Sequence, residues 1–234
     1  MRAVLLAAGL GTRLAPLTDS IPKILAPLGG RPLLEHQLVY LEQGGVTEVA
    51  VNVHHHAEEV IRFLESSETA LAVRVSHERR LLGTAGALLR LRDFLTKPFL
   101  VLYGDVVTDA DLADFMERHL RLGGVATLTY YRSTETAGKG LLSLGTDGRV
   151  TSFAEKPETS NSCCVSAGLY ALSPEALAFV RPDRPDFGHD VWPAMLAEGA
   201  AVYGHELGGY VRDVGSADAL EAANRDLVAG GIAW

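Results

Sequence analysis

Ala7-Ala8-Gly9-Leu10-Gly11-Thr12-Arg13-Leu14-Ala15-Pro16-Leu17-Thr18, closed by Pro22-Lys23, follows the continuously apolar run Ala3 to Ala7. An unbroken apolar run suits a strand covered on both faces in a parallel sheet, and a strand, a glycine loop and two cations together make a phosphate-binding arrangement. Gly9 and Gly11 can take conformations closed to residues with a Cβ, which lets successive amide N–H groups turn toward one anion. Arg13 and Lys23 supply side-chain charge. Two familiar loops are excluded by spacing: the dinucleotide fingerprint needs glycine where Leu14 stands, and no Gly-Lys-Ser/Thr follows as a P-loop requires.

The stretch resembles the G-x-G-T-R-L-x-P-L-T signature, with its following P-K, that opens the sugar-1-phosphate nucleotidyltransferases. The resemblance runs from this loop to the last helical pattern. It implies a loop in which Leu6, Ala7, Ala8, Gly9, Gly11 and Thr12 line the nucleotide while Arg13 and Lys23 hold its phosphates.

Working outward, helical spacing of Leu34, Leu38 and Leu41 predicts a helix over 33–43 that stops at Gly44-Gly45, and Val49 to Val53 reads as the next strand. Glu58 to Leu64 is a helix, Leu71 to Val75 a strand, Leu88 to Phe94 a helix and Phe99 to Tyr103 a buried strand ending at Gly104-Asp105. Alternating strands and helices predict an α/β fold, a Rossmann-like doubly wound sheet. After a helix over 111–120 come strand-like segments at 126–131, 141–144, 150–153 and 164–172, with no helix between the first three. They predict a small antiparallel lobe that makes the sheet mixed. Helical patterns return at 174–180 and 191–198, a strand at 201–205, and Ser216 caps a helix over 217–228. The expected organisation is one nucleotidyltransferase domain over 1–234: a nucleotide-binding part of about 1–125, a sugar-binding lobe of about 126–213 and a closing helix at 216–229.

The 234 residues are 47% hydrophobic, enough for one continuous core. A net charge of −8 with no basic run argues against a nucleic-acid surface. No leader pattern or bilayer-length apolar run is seen, so a cytoplasmic protein without membrane partners is expected, with self-association into a homo-oligomer left open. Adjacent Cys163 and Cys164 have no metal-ligand spacing and read as strand residues in a reducing compartment.

Ligands of doubly wound sheets collect at the carboxyl ends of strands. Beyond the loop, three such places stand out. Glu78 and Leu82-Gly83-Thr84-Ala85-Gly86 resemble the family's nucleobase wall, with Glu78, Gly83 and Thr84 as base contacts. Asp105, in Gly104-Asp105, and Asp213, in Val211-Arg212-Asp213, each stand just beyond apolar residues, and magnesium takes one or two carboxylates, leaving its other positions to phosphate and water. The family places its Mg²⁺ ligands in matching G-D and D-x-G contexts. Glu155-Lys156-Pro157 resembles the family's E-K-P motif, in which the glutamate binds sugar hydroxyls and the lysine the sugar phosphate. Gly140 matches the glycine packed against the sugar, and Ser166-Ala167-Gly168-Leu169-Tyr170 resembles its N-A-G-I-Y strand, with Ser166 in place of asparagine and Gly168 beside it. His54-His55-His56 cannot all face one ion; Trp192 and Trp234 read as packing residues and Arg79-Arg80 as a solvated loop.

The resemblance implies an enzyme of EC 2.7.7 type that condenses a sugar-1-phosphate with a nucleoside triphosphate, releasing pyrophosphate, with Arg13, Lys23 and Lys156 as its catalytic cations. The glycine-threonine wall is most similar to mannose-1-phosphate and heptose-1-phosphate guanylyltransferases, which favours GTP. A uridylyl- or thymidylyltransferase acting on a hexose-1-phosphate, and a non-catalytic nucleotide-sugar-binding regulator, are the alternatives.

Overall fold

The computed structural model describes residues 1–159 and 161–232; Trp234 lies outside them. In chain order the strands and helices are β1 (Arg2–Leu6), β2 (Pro27–Leu28), β3 (Arg31–Pro32), α1 (Leu33–Gln43), β4 (Glu48–Val53), α2 (Ala57–Ser66), β5 (Ala72–His77), β6 (Phe99–Tyr103) and β7 (Val106–Thr108). Then follow α3 (Leu112–Leu122), β8 (Ala126–Arg132), β9 (Gly140–Leu144), β10 (Val150–Glu155), β11 (Cys164–Leu172), α4 (Trp192–Ala197), β12 (Val202–Glu206), β13 (Val211–Asp213) and α5 (Ala217–Val228). The result is the expected α/β fold with a mixed sheet.

The chain forms two compact units, the first made of residues 1–81, 102–113 and those from Gly209 onward, the second of 82–101 and 114–208. In the first, β1 pairs in parallel with β4 and β4 with β5, in registers such as Val4↔Ala50 and Val49↔Val73. Ala3, Val4, Leu5, Val49, Ala50 and Val51 are fully buried, which is why the centres of β1 and β4 read as apolar runs rather than alternations. Leu34, Leu38 and Leu41 form the buried stripe of α1. An antiparallel ribbon of β7 and β13 brings 211–213 beside 106–108.

In the second unit β10, β9 and β11 are antiparallel neighbours, β8 lies antiparallel to β11, and β12 runs parallel to β8. Trp192 is fully buried, stacked on Phe187 at 4.8 Å, with Tyr170 edge-on to both. Its packing role is thereby met. Two helix expectations are corrected, those at 88–94 and 174–180, while the helix expected at 191–198 is α4. Residues 86–91 and 174–178 are 3-10 turns, and a π turn over Phe187–Val191 precedes α4. At 86–91 the physical reason is local: the N–H groups of Ala85 and Gly86 both donate to Pro185 O, and Leu88 N–H turns to Ala85 O, three residues back, so the segment starts on a three-residue pitch.

Buried histidines give the fold a pH dependence. His119 is 1% exposed; Ser173 Oγ donates to Gly124 O and so accepts from His119 Nε2–H, which leaves Nδ1 to accept from Thr127 Oγ1. Burial holds His119 and His36 below the ordinary 6.5, His36 with its Nε2 on Leu28 O. The unfolded chain therefore binds protons near pH 6.5 that the folded chain refuses, so stability is present above 6.5 and falls as pH drops below it, by about 1.4 kcal/mol per pH unit for each proton. Denaturant titrations from pH 7 to 5 are expected to show this slope. His119→Gln, compared with the parent, is expected to flatten it by about one proton; an unchanged slope would remove His119 from the account.

Candidate active site

In the first unit, the signature loop leaves β1 and winds through 3-10 turns at Thr12–Leu14, Leu17–Asp19 and Lys23–Leu25. Leu14 and Ile24 are the buried anchors of these turns, which leaves Arg13 outward with its side chain 68% exposed. Gly11 has φ +69°, and a Cβ there would lie 2.8 Å from Thr18 Cγ2 and 3.0 Å from Lys23 Cβ. Its carbonyl receives Leu14 N–H and Thr18 Oγ1–H, each at 2.8 Å, which closes the loop on itself. Gly9 departs from expectation: its backbone is not left-handed and an added Cβ would meet nothing within 4 Å. Only Gly11 is demanded by the turn; at Gly9 the missing side chain leaves open space.

Lys23 Nζ contacts Asp105 Oδ2, both side chains largely shielded. Asp105 ends the turn after β6, where Gly104 N–H donates to Leu6 O at 2.9 Å; a Cβ on Gly104 would strike that carbonyl at 2.8 Å. The β7–β13 ribbon supplies the second carboxylate. Asp213 pairs in register with Val106, Val214 N–H donates to Asp105 O at 2.8 Å, Asp213 Oδ1 accepts Gly215 N–H at 2.6 Å, and Arg13 Nη2 stands 4.0 Å from Asp213 Oδ2. Partial desolvation pushes the Asp213 carboxyl up, the neighbouring Asp105 charge adds to it, and Lys23 and Arg13 pull it back down. Two carboxylates that repel across one space, with Lys23 and Arg13 paired to them, form a donor set of the hard-oxygen kind a divalent ion takes when phosphate and water complete its shell. Among the described residues no cluster of three or more His, Cys, Asp or Glu could hold a metal, His54-His55-His56 included.

Glu78 is 1% exposed and works from behind the loop. Its Oε1 accepts from Asn52 Nδ2 at 2.8 Å, and Asn52 Oδ1 accepts Ala7 N–H at 2.7 Å. His54 Nδ1 meets the Glu78 carbonyl at 2.7 Å. The Ala7 amide therefore holds the loop to β4 instead of facing a ligand. Asn52 escapes a reading of the sequence because a polar residue inside an apolar strand carries no motif; its one signal is that position next to the strand end.

The other expected residues lie in the second unit. Glu155 is held between two glycines: a Cβ on Gly140 would fall 2.8 Å from its Oε2, and one on Gly188 would fall 2.8 Å from its Cδ. Lys156 takes φ +46°, uncommon for a residue with a side chain; its N–H donates to Lys139 O at 3.1 Å and its Nζ lies 3.4 Å from Glu155 Oε1. Ser166 Oγ is 3.3 Å from Tyr170 Oη, across a register shift in β11 that Gly168 accommodates at φ +72°. Gly83, at φ +78°, packs against Pro185, and Thr84 Oγ1 donates to Asp186 Oδ2 at 3.0 Å. Pro185, Asp186 and Gly188 match no motif in the sequence, although Asp186-Phe187-Gly188 is a compact polar-aromatic-glycine break before a helix.

With a glycine-rich turn, two cations and paired carboxylates on the carboxyl edge of a parallel sheet, the class defined is a nucleotide-handling α/β protein. The chain belongs to the nucleotidyl transferase family, whose model matches residues 2–230. Mannose-1-phosphate guanyltransferase beta-A of Xenopus laevis is 35% identical over 221 residues, covering 92% of this chain and 61% of the relative. Mannose-1-phosphate guanylyltransferase 1 of Arabidopsis thaliana is 33% identical over 222 residues with the same coverage. The chain thus spans about 61% of the length of the curated relatives it matches. Among solved structures, one from Bacillus anthracis described as a glucose-1-phosphate thymidylyltransferase shares the fold at TM-score 0.88 and 22% identity, covering 100% of this chain and 97% of that one. HddC from Yersinia pseudotuberculosis, solved in complex with GMP-PN, shares it at TM-score 0.83 and 24% identity, covering 97% and 99%. No helix among the described residues is long and apolar enough to cross a membrane.

Proposed function

We propose that this chain transfers a guanylyl group from GTP to a sugar-1-phosphate of mannose or heptose type, releasing pyrophosphate. The observation that carries the reading is the convergence of Lys23, Asp105, Asp213 and Arg13 on one ribbon-and-loop surface. Family membership and the guanylyltransferase relatives support the same reaction and base.

The sugar-phosphate oxygen attacks the α-phosphorus in line, the bond to the bridging oxygen breaks, and pyrophosphate leaves with the electron pair. The nucleophile is already anionic at neutral pH, so positioning and charge neutralisation suffice and no general base is required. Lys23 Nζ uses one donor on Asp105 and has others for phosphate oxygens, while exposed Arg13 reaches outward to the leaving pyrophosphate. Asp105 and Asp213 are the residues that would hold Mg²⁺, which when bound would offset charge on the α-phosphate. The family resemblance assigns Leu6, Ala8, Gly9 and Thr12 to the nucleotide and Gly83 and Thr84 to its base. Glu155 takes sugar hydroxyls, with Gly140, Ser166 and Gly168 around the ring, and Lys156, aimed by its left-handed backbone, holds the sugar phosphate. Free Cys163 and Cys164 accord with a reducing, cytoplasmic setting.

The test is pyrophosphate release with Mg²⁺, each common nucleoside triphosphate, and mannose-, glucose-, N-acetylglucosamine- and heptose-1-phosphates. Release that needs both GTP and a mannose- or heptose-type phosphate is expected. Faster turnover with UTP or dTTP and a hexose-1-phosphate would replace the base assignment. Nucleotide binding by thermal shift without turnover on any pair would make the chain a binding protein.

A further inference from the structure

Both oxygens of the Asp186 carboxylate are committed within the second unit. Oδ1 accepts His189 N–H at 2.8 Å and so caps the π turn Phe187–Val191, and Oδ2 accepts the Thr84 hydroxyl at 3.0 Å. Thr84 Oγ1 in turn accepts Phe187 N–H at 2.9 Å, and Pro185 O accepts Ala85 and Gly86 N–H at 2.8 and 3.1 Å. Four hydrogen bonds therefore fasten the 83–86 loop to 185–187, and Gly83 and Gly86 press so close on Pro185 that a Cβ on either would come within 2.9 Å of it.

Further along the same turn, Gly188 packs against the Glu155 carboxylate. Gly188 leaves no room for a methyl group against Glu155. Phe187 and Trp192, stacked and fully buried, anchor the turn against Tyr170, whose hydroxyl lies on Ser166 Oγ. A π turn is a rare backbone form that recurs at functional sites, and this one has a base-side loop on one flank and a sugar-side carboxylate on the other.

We propose that Asp186 is a positioning residue that holds the Gly83–Gly86 loop and the Glu155 carboxylate in one fixed relation through the π turn, so that affinities for nucleotide and sugar phosphate are set together. This rests on the assignment of those two segments to base and sugar. Loss of the carboxylate uncaps the turn and frees the Thr84 hydroxyl. Gly188 then no longer stands firmly behind Glu155, although Asp186 touches neither substrate.

The test compares Asp186→Ala, Asp186→Asn and Gly188→Ala with the parent in steady-state kinetics, with thermal unfolding in parallel. Asp186→Ala is expected to raise both KM values roughly tenfold while kcat stays within about threefold, and Asn, which keeps the acceptor for His189 N–H, to recover part of the loss. Partial unfolding would lower the apparent kcat and leave both KM values alone, so the split separates positioning from stability. Gly188→Ala, which intrudes at the sugar end, is expected to raise the nucleotide KM as well. A rise confined to one substrate, with the other within about twofold, overturns the proposal.

Hydrogen exchange on the unliganded protein keeps the inference independent of the reaction. Asp186→Ala is expected to speed exchange at the amides of Ala85 and Gly86 and also at Lys156, whose N–H is held by Lys139 O. Faster exchange at one flank only refutes the coupling. A parent protein inactive on every substrate pair would refute the guanylyltransferase reading instead.

Discussion

Asp105→Asn is expected to slow pyrophosphate release by about 10³-fold, with far less effect on folding. The asparagine keeps the size of the side chain but removes half of the paired negative charge that Asp105 and Asp213 present, and with it the charge available to a divalent ion. The structural cost comes from Lys23, whose partner charge is lost while its side chain is 13% exposed. Breaking a fully buried pair costs several kcal/mol; here solvent reaches both partners, so about 1–2 kcal/mol is expected, a fall of a few degrees in the thermal midpoint. Kinetics and a melting curve on the same preparation check both halves. A variant retaining a tenth or more of the parent turnover would take Asp105 out of the metal site.

Arg13→Ala is expected to lower kcat by about 10²-fold and leave the thermal midpoint unchanged. The Arg13 side chain is 68% exposed, and its ion pair with Asp213, at 4.0 Å, is of the solvated kind that adds almost nothing to stability. Its value on this reading is charge delivered to the leaving pyrophosphate. Arg13→Lys should restore part of the rate, because a point charge can meet the phosphate but lacks the two-pronged geometry of a guanidinium. A wild-type rate for Arg13→Ala would move the leaving-group role to Lys23.

Much of the fold is legible in the amino-acid sequence. The buried strands β1 and β6 are apolar runs and β4 is one interrupted by Asn52, α1 carries a one-faced leucine stripe, and α5 begins at a serine cap whose Oγ accepts Ala219 N–H. Each is a local preference written over a few residues. The turns at 86–91 and 187–191 are not legible in their observed form, because their backbone is bent by a partner distant in the chain: Pro185 O takes amide hydrogens from Ala85 and Gly86. Gly9 and Gly11 look alike in the motif, yet only Gly11 is forced left-handed, by the approach of Thr18 and Lys23.

The sequence by itself determined the fold class, the family and the chemical types of the proposed site residues, since periodicity, caps and a long motif are short-range properties. Tertiary structure alone decided which of those residues meet. Asp105 and Asp213 stand 108 positions apart in the chain, and they become neighbours because backbone hydrogen bonds zip β13 onto β7. Asn52, Glu78 and Asp186 acquired their roles in the same way: a buried or half-buried amide or carboxylate satisfies its hydrogen bonds wherever the fold offers partners, and no local pattern records which partners those will be.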